Sequence, residues 1–239
     1  MGVRSSSVVL KAEGLCRQFG DKKAVDNVSF SLKEGEFLVL LGKNGSGKTT
    51  ALNIFAGVDK PTSGQAEIMG VKPFNQSAKK IRGVVFQEHV LEGFYTGRET
   101  LLIHGILYGV EKKELEKQAH ELLGFMEIND YADKLVKTYS LGMRRRLDIS
   151  RALIHKPKLL LLDEPTINLD PSIKLKIWDY IAELKRKFNL SVLLVTQDID
   201  EAVKMADRVI VFKDGKILSV LSKKEINKAG LEKLLGGNR

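Results

Sequence analysis

Apolar and polar positions follow one another along the chain in a pattern that predicts a mixed α/β fold. Short apolar runs at 37–41, 83–86, 158–162 and 191–196 are bounded by polar or turn-forming residues, which is typical of buried strands. Segments with apolar residues at three- and four-residue intervals lie between these runs and predict helices, the longest at 171–188. Strands that alternate with helices favour an α/β domain with a parallel sheet.

Three parts of the chain depart from this alternation. Residues 8–32 are β-like with polar breaks, which predicts an antiparallel sheet edge at the N-terminal end. Between about 88 and 156 the spacing is helical, notably at 98–108 and 112–126, so we expect an inserted helical subdomain. Residues 222–239 predict a short helical tail. The fold class is therefore α/β, in a single domain over 1–239, with a core, an antiparallel β-subdomain and a helical insertion.

Composition and charge indicate where this domain is located and which partners it could bind. The chain has 239 residues with 43% hydrophobic content, enough for a packed core. Its apolar runs are too short to span a bilayer and its start lacks a signal-peptide core, so we expect a cytoplasmic location. A single cysteine, Cys16, excludes an internal disulfide.

The net charge of +9 favours anionic partners, which could be nucleotide, nucleic acid or a membrane face. The run 144–146 of three arginines lies in a predicted helix, where a solvated face or carboxylate partners is favoured over a nucleic-acid patch.

The stretch GKNGSGKT at residues 42–49 fits the phosphate-loop pattern G-x-x-x-x-G-K-[ST], between a predicted strand and a predicted helix. Glycines allow successive backbone N–H groups to point at phosphate oxygens, with the helix N-terminus adding partial positive charge. Lys48 is expected to reach the β- and γ-phosphates, and Thr49 to offer its hydroxyl to Mg²⁺. The predicted ATP-binding residues of this segment are Gly42, Lys43, Asn44, Gly45, Ser46, Gly47, Lys48, Thr49 and Thr50.

Two adjacent carboxylates end another predicted strand, in the sequence LLLLDE. Ligands of open α/β sheets bind at the carboxyl ends of strands, so these groups are expected beside the phosphate loop. Asp163 is the candidate Mg²⁺ ligand, and Glu164 is the candidate base that orients or deprotonates the attacking water. The alternative is a charge pair at a helix N-terminus ahead of Pro165.

The order of motifs resembles that of the ATP-binding cassette (ABC) ATPases, which are P-loop NTPases, over nearly the whole chain. The order is GKNGSGKTT, Gln87, YSLGM at 139–143, LLLLDEPT, NLD at 168–170 and TQ at 196–197. More narrowly, YSLGMRRRLDISRALIHKP and YTGRETL resemble the daunorubicin-resistance type of exporter ATPases, whose membrane subunits are of the ABC-2 class. The S-x-G sequence ahead of the acidic strand distinguishes this family from other P-loop enzymes.

The resemblance implies roles for residues outside the phosphate loop. Phe19 would stack on adenine, although packing in a half-buried strand is the open alternative. Gln87 would contact Mg²⁺ or the water and sense the membrane partner, and Gln197 would contact the γ-phosphate. A nucleotide held by a second copy would meet Asp170 at the dimer seam and the signature residues Ser140, Leu141, Gly142 and Met143. The implied cofactors are ATP and Mg²⁺.

A physical argument supports this dimer. Ser140 opens a predicted helix and so supplies a second anion-binding N-terminus, and a single domain has little use for two γ-phosphate sites unless they serve different nucleotides. A simple N-cap serine is the alternative. Three positions depart from the family pattern: Lys43 replaces a proline, Leu141 a glycine and Gln197 a histidine. None of them removes a catalytic carboxylate, so a working ATPase is expected.

These expectations converge on the ATPase subunit of an exporter, peripheral on the inner face of the membrane, acting as a dimer with a separate ABC-2 type permease. No nucleic-acid partner is expected. Leu91, Phe94 and Tyr95 are expected to form an apolar docking surface for the permease, the alternative being that Phe94 is part of the core. The alternatives in function are an import ATPase, and a soluble ABC ATPase that acts on nucleic acid or ribosomes.

Overall fold

The computed structural model describes residues 7–88 and 91–236. Its strands are β1 (Val8–Phe19), β2 (Lys22–Lys33), β3 (Phe37–Leu41), β4 (Ser63–Ile68), β5 (Arg82–Val85), β6 (Leu159–Asp163), β7 (Ser191–Thr196), β8 (Arg208–Lys213) and β9 (Lys216–Ser222). Its helices are α1 (Lys48–Ala56), α2 (Gln76–Ile81), α3 (Gly97–Leu107), α4 (Lys112–Phe125), α5 (Leu141–Leu153), α6 (Pro171–Phe188), α7 (Ile199–Met205) and α8 (Lys228–Gly236). None of the helices in these two ranges is both long enough and apolar enough to cross a bilayer.

The larger sheet has six strands in the order β5-β6-β7-β3-β8-β9. Neighbouring strands are parallel except for the pair β8 and β9. Every residue of β3 and β6 is buried, as expected for strands covered on both faces. Because β3, β6 and β7 run in the same direction, the segments that follow them meet at one edge of the sheet. This edge brings Gly42, Asp163 and Gln197 into one region of the molecule.

The smaller sheet is antiparallel, in the order β2-β1-β4. Strand β1 ends where Phe19 pairs with Lys22 across the turn at Gly20 and Asp21. The predicted α/β fold with an N-terminal antiparallel β-subdomain is confirmed. The position of this sheet places Phe19 on the same cavity as the segment 44–50, which follows β3.

Helices α3, α4 and α5 fill the segment between β5 and β6, although these two strands are adjacent in the sheet. Their buried apolar residues, including Leu101, Leu115 and Leu147, belong to the same core cluster as one face of the large sheet. Helix α3 begins with a capping box, in which the Thr96 side chain accepts from the Glu99 N–H and the Glu99 carboxylate accepts from the Thr96 N–H. The inserted segment is thus helical and packed onto the core.

Two parts of the chain differ from the sequence prediction. Helix α2 was not predicted, because in its six residues only Ala78 is buried and so no apolar period is visible. The tail is helical only from Lys228, since Ser222 still pairs with Arg208 in the β8–β9 hairpin. The last three residues of the expected tail lie outside the described ranges.

Candidate nucleotide-binding site

The phosphate loop is shaped by glycines in conformations that other residues rarely adopt. Gly45 and Gly47 have φ values of 76° and 100°, and a Cβ on Gly47 would collide with the carbonyl oxygen of Ala24. Helix α1 starts at the next residue, Lys48, so its unpaired N–H groups face the loop. The segment therefore forms a concave set of backbone donors suited to phosphate oxygens.

Lys48 holds its ammonium group inside this loop. The side chain is only 3% exposed, and its Nζ donates to the Lys43 carbonyl at 3.0 Å and to Ser46 Oγ at 3.5 Å. Burial lowers the pKa of Lys48 from its usual value, while the carboxylates of Glu164 and Asp163 act in the opposite direction. An ammonium with neutral hydrogen-bond partners in a buried place is stabilised by an added polyanion, which is what ATP supplies.

Asp163 and Thr49 bring two oxygen ligands together. Thr49 Oγ1 donates to Asp163 Oδ1 at 3.1 Å. Burial raises the pKa of Asp163 to about 6, partly offset by this hydrogen bond. The buried Asp163 carboxylate and the Thr49 hydroxyl, which lies on the exposed side of the pair, are hard oxygen ligands of the kind that Mg²⁺ prefers, and a divalent cation here would favour the ionised carboxylate. The residues present therefore fit a magnesium ion.

Glu164, the candidate base, has a backbone φ of 42°, in the left-handed region. Such a conformation costs on the order of 1–3 kcal/mol in a residue other than glycine. It is held by a hydrogen bond from the Glu164 N–H to the Val195 carbonyl at 2.9 Å, and Gln197 Nε2 donates to Glu164 Oε2 at 3.3 Å. The strained backbone turns the carboxylate from the end of β6 toward the phosphate loop, and Gln197 orients it.

A cavity of about 410 Å³ lies in front of the phosphate loop. It is large enough for a small ligand. Among its described lining residues are Phe19, Lys48, Gln87 and Glu164, which come from four separate segments. Phe19 is 46% exposed, so its ring is not packed in the core, and the guanidinium of Arg17 covers one face of the ring at 4.2 Å from the centroid. Adenine stacking by Phe19 stays a prediction.

Other predicted residues lie around this cavity in different positions. Asn44, Gly45, Gly47, Thr49 and Thr50 also line it, whereas Gly42, Lys43, Ser46, Asp163 and Gln197 are not among its described lining residues. Gly42 lies behind the loop, where a Cβ would come within 2.5 Å of the Phe212 carbonyl oxygen. Lys43 contributes its carbonyl to Lys48. Gly42 and Lys43 therefore determine the shape of the loop without lining the cavity.

The signature residues lie elsewhere. Ser140 is the N-cap of α5 and accepts a hydrogen bond from the Met143 N–H at 3.3 Å. Leu141 is 41% exposed, and Gly142 packs so closely that a Cβ would be 3.0 Å from Ile173. Asp170 is exposed at the start of α6. In the described part of the chain none of these residues lines the cavity of its own phosphate loop, so their predicted role requires a second nucleotide.

Sequence reasoning missed a network of buried charges on α5. Arg145, which is 1% exposed, donates through its two terminal nitrogens to the carbonyls of Phe86 and Gln87, at 2.7 and 2.8 Å. Arg151 donates to the Val84 carbonyl at 3.0 Å. Both arginines face the fully buried Asp148, at 3.8 Å from Arg145 and 2.7 Å from Arg151.

The sequence left a solvated face or carboxylate partners open for residues 144–146, and for Arg145 the structure supports the second alternative, because Asp148 is its carboxylate partner. Arg145 is buried, and the partners of all three arginines are largely main-chain carbonyls, including those of Lys137 and Met126. The spacing of Arg145, Asp148 and Arg151 at three-residue intervals among apolar neighbours could have revealed one buried charged face. The network attaches the backbone of Gln87 to the helix whose first turn carries the signature.

Glu201 is a second residue that sequence reasoning missed. It is 5% exposed and accepts hydrogen bonds from the hydroxyls of Thr166 and Thr196. Burial raises the pKa of Glu201, and the two hydroxyls oppose this shift. Because Thr166 follows Glu164 and Thr196 precedes Gln197, the Glu201 carboxylate joins the two loops that hold the candidate base and its partner.

The fold and this site define a P-loop nucleotide hydrolase, in which a phosphate loop follows one buried strand and an acidic pair ends another. Residues 25–167 match the family model described as ABC transporter. The chain belongs to this family of ATP-binding cassettes, and it is an ATPase subunit of the kind that serves transporters.

Curated relatives agree with this assignment. The chain is 37% identical over 209 residues to an uncharacterized ABC transporter ATP-binding protein, YxlF, of Bacillus subtilis, covering 87% of this chain and 69% of the relative. It is 36% identical to the bacitracin transport ATP-binding protein BcrA of Bacillus licheniformis, covering 89% and 69%. It is 35% identical to the doxorubicin resistance ATP-binding protein DrrA of Mycobacterium tuberculosis, covering 91% and 66%. The chain thus spans about two thirds of the length of these relatives.

Solved structures support the fold in detail. A dimeric, post-hydrolysis state of the ATP-binding cassette MJ0796, bound to ADP and Pi, superimposes with a TM-score of 0.80 at 31% identity, over 90% of this chain and 98% of that one. The ADP conformation of the cassette MJ1267 gives a TM-score of 0.83 at 25% identity, over 92% and 94%.

Proposed function

We propose that this chain binds and hydrolyses ATP to power export through a separate membrane permease of the ABC-2 type. The observation that carries the proposal is the similarity to the doxorubicin resistance and bacitracin transport proteins, together with the segment from Tyr139 to Pro157 that resembles exporters of this type. Similarity to Nod factor export proteins, at 36–37% identity, supports the same direction.

The site suggests how hydrolysis proceeds. Backbone N–H groups of the loop and the Lys48 ammonium bind the phosphates, and Phe19 offers its exposed ring to the base. A magnesium ion held by Thr49 and Asp163, with Gln87 near it, would neutralise developing charge on the phosphates. Glu164 then orients the attacking water and accepts its proton, while Gln197 keeps the carboxylate in place through its 3.3 Å hydrogen bond.

The active form is a head-to-tail dimer of two copies. Ser140 and the N–H groups at the start of α5 form an anion site that the nucleotide of the same chain does not reach. A second copy would bring this site, with Leu141, Gly142 and Met143, against the γ-phosphate, and would place Asp170 at the seam. The dimeric state of the MJ0796 cassette supports this arrangement.

The permease docks on the apolar surface at the inserted helices, which holds the chain at the inner face of the membrane. Phe94 is 64% exposed and packs against Tyr95 with ring centroids 4.6 Å apart and ring planes tilted by 56°. A shallow groove of about 160 Å³ lies beside them, lined in part by Leu91, Ile103 and Leu107. The alternative that Phe94 is a core residue is wrong.

Import is the second candidate function, because the chain is also 36% identical to an Fe(3+) ions import ATP-binding protein, FbpC, of Photobacterium profundum. Transport in vesicles separates the two. The chain and the membrane subunit encoded beside it would be reconstituted in inside-out vesicles, with doxorubicin as the probe. ATP-dependent accumulation that Lys48→Ala abolishes is expected for export. Uptake that requires a solute-binding protein and right-side-out vesicles would contradict the proposal.

The third candidate, a soluble ATPase that acts on nucleic acid or ribosomes, rests on the net charge of +9 alone. It predicts ATPase stimulation by RNA or ribosomes without a membrane subunit. Stimulation by the co-reconstituted permease, and none by RNA at physiological salt, is the result expected here.

A further inference from the structure

A second cavity lies on the side of the molecule opposite the nucleotide. Its volume is about 290 Å³, and it opens between α4, the segment that enters β6, and the end of α6. Pro157 and Lys158 precede β6 and Leu190 precedes β7, so the cavity lies at the amino ends of these strands. The phosphate loop and Glu164 lie at the carboxyl ends. The proposed catalytic cycle makes no use of this cavity.

Most of its wall is apolar. Leu122 and Phe125 of α4 face Leu184 and Phe188 of α6 across the cavity, with Leu153 among the other apolar lining residues. Phe188 is 52% exposed, which leaves a large aromatic surface in solvent. A cavity of about 150 Å³ lined by apolar side chains holds a benzene molecule, so this one accommodates roughly ten carbon atoms.

The rim is predominantly cationic. Lys156, Lys158 and Lys187 line the cavity, against one acidic residue, Glu121. Lys156 forms an ion pair with Glu114 at 2.7 Å, and Glu121 lies 4.0 Å from Lys117. Within residues 7–88 and 91–236, Lys158 and Lys187 form no ion pair within 4.0 Å. Two lysines at the mouth of an apolar cavity favour an anionic head group.

One unpaired hydrogen-bond acceptor lies in the wall but is closed off from the cavity. Gln118 lines the cavity and is only 6% exposed. Its Nε2 donates to Glu114 Oε1 at 2.7 Å, but its Oε1 is buried without a partner among the described residues. An unpaired buried amide oxygen costs free energy. Because the accessible surface of this oxygen is below 1 Å², a ligand in the cavity does not reach it, and the lysines of the rim are the groups that would recognise a head group.

From the apolar cavity and its cationic rim together, we propose that this site binds a small amphipathic carboxylate, with an apolar chain of about ten carbon atoms between α4 and α6 and the carboxylate at Lys158 and Lys187. Because the walls belong to the helical insertion on one side and to the core on the other, the ligand links these two parts of the molecule.

Binding is tested on the full chain with ligands that differ in one group. Undecanoate, N-octanoylglycine of matched length, and decyltrimethylammonium are titrated below their micellar concentrations, by calorimetry and by methyl NMR of the leucines. Shifts confined to Leu122, Leu153, Leu184 and Leu190 are expected with the two carboxylates and not with the cation. Equal binding of the cation, or carboxylate shifts spread over other leucines, overturns the proposal, and so does an absence of shifts.

Charge-reversal variants test the cationic rim. The double variant Lys158→Glu and Lys187→Glu is expected to weaken carboxylate binding roughly tenfold. Its control, Lys112→Glu and Lys113→Glu at the exposed start of α4, changes the net charge equally and is expected to bind normally. An equal loss of carboxylate binding in both double variants would mean that only the net charge matters, and would contradict a binding site at the rim. Circular dichroism of each variant shows that it is folded, so loss of binding is not loss of fold.

Discussion

At the scale of single residues, the site depends on side chains that are held in costly states. Glu164 has a left-handed backbone, Lys48 is buried with neutral partners, and Asp163 has a raised pKa. A bound Mg²⁺–nucleotide improves the last two of these states, since phosphate pairs with Lys48 and the cation with Asp163. The unfavourable burial of Lys48 and Asp163 in the free protein is therefore relieved when Mg²⁺–nucleotide binds.

Glu164→Gln tests the assignment of the base. The amide keeps the shape and the hydrogen bond to Gln197 but cannot accept the proton, so we expect ATP binding to persist while hydrolysis falls about 10²- to 10⁴-fold. ATP is then expected to convert monomer to a stable dimer, seen by size exclusion. The control is Glu183→Gln on the exposed face of α6. Normal turnover in Glu164→Gln would mean that another group is the base, and a variant that binds ATP but stays monomeric would argue against the composite site.

A pair of histidines makes stability depend on pH. His104 and His155 pack around Tyr108, with ring centroids 4.7 and 4.0 Å from it, and His155 Nε2 lies 3.0 Å from the Arg82 carbonyl. Burial and the nearby Arg151 lower the pKa of His104 to about 3, and burial lowers the pKa of His155 to about 4. Both rings are therefore neutral in the folded protein at working pH.

Because both pKa values lie below the unfolded value near 6.5, the unfolded chain binds more protons as the pH falls through that value. Stability is thus complete above pH 6.5 and is lost below it, by up to about 1.4 kcal/mol per pH unit for each histidine. Urea unfolding at several pH values between 7 and 4.5 measures this slope. His104→Phe is expected to reduce it and His120→Gln, at an exposed position of α4, to leave it unchanged. A slope that survives His104→Phe would assign the effect to other groups.

At the scale of elements, the sequence was sufficient to predict those strands and helices whose apolar pattern is compatible with only one structure. The strands of the large sheet, the phosphate loop with its helix, and α6 follow from apolar runs and spacing, because burial on both faces leaves few other solutions. Helix α2 was missed because it buries one residue, and the burial of Arg145 was missed because its partners are main-chain carbonyls of a segment 58 and 59 residues away. Likewise, nothing local to Glu201 indicates that it joins two loops. Long-range polar contacts leave no periodic pattern in a sequence.

The network on α5 predicts a specific effect on turnover. Arg145→Lys keeps the charge but cannot donate to both the Phe86 and Gln87 carbonyls, so the Gln87 side chain loses its fixed position. We expect kcat to fall roughly ten- to hundredfold while the KM for ATP changes little, since the phosphate loop is untouched. Steady-state kinetics measures the split.

Arg144→Lys is the matched control, because Arg144 donates to a carbonyl of Lys137, away from Gln87. Asp148→Asn leaves both Arg145 and Arg151 without their buried carboxylate and is expected to destabilise the fold by about 3–5 kcal/mol. If Arg145→Lys raised KM and lowered stability without changing kcat, the network would be structural and would not position Gln87.

At the scale of the whole molecule, distinct surfaces occupy distinct sides. The nucleotide site lies at the carboxyl edge of the large sheet. The amphiphile cavity lies at the amino ends of β6 and β7, and the proposed permease surface lies on the inserted helices. Helix α5 runs between them: its first turn carries the signature, its middle holds the backbone of Gln87, and Leu153, its last residue, lines the amphiphile cavity. A displacement of α5 would therefore move residues at the signature, at Gln87 and at the amphiphile cavity.

The permease surface is tested by Phe94→Glu. Because Phe94 is 64% exposed, a charge there costs the isolated chain little, and basal ATPase and the unfolding midpoint are expected to stay at wild-type values. A buried glutamate in the assembled transporter would be unpaired, so stimulation of ATPase by the co-reconstituted permease is expected to be lost. Val58→Glu, 61% exposed beyond the end of α1, is the control and is expected to keep full stimulation. Loss of stimulation in both variants would indicate a general effect of negative charge near the membrane, and full stimulation in Phe94→Glu would place the permease on another face.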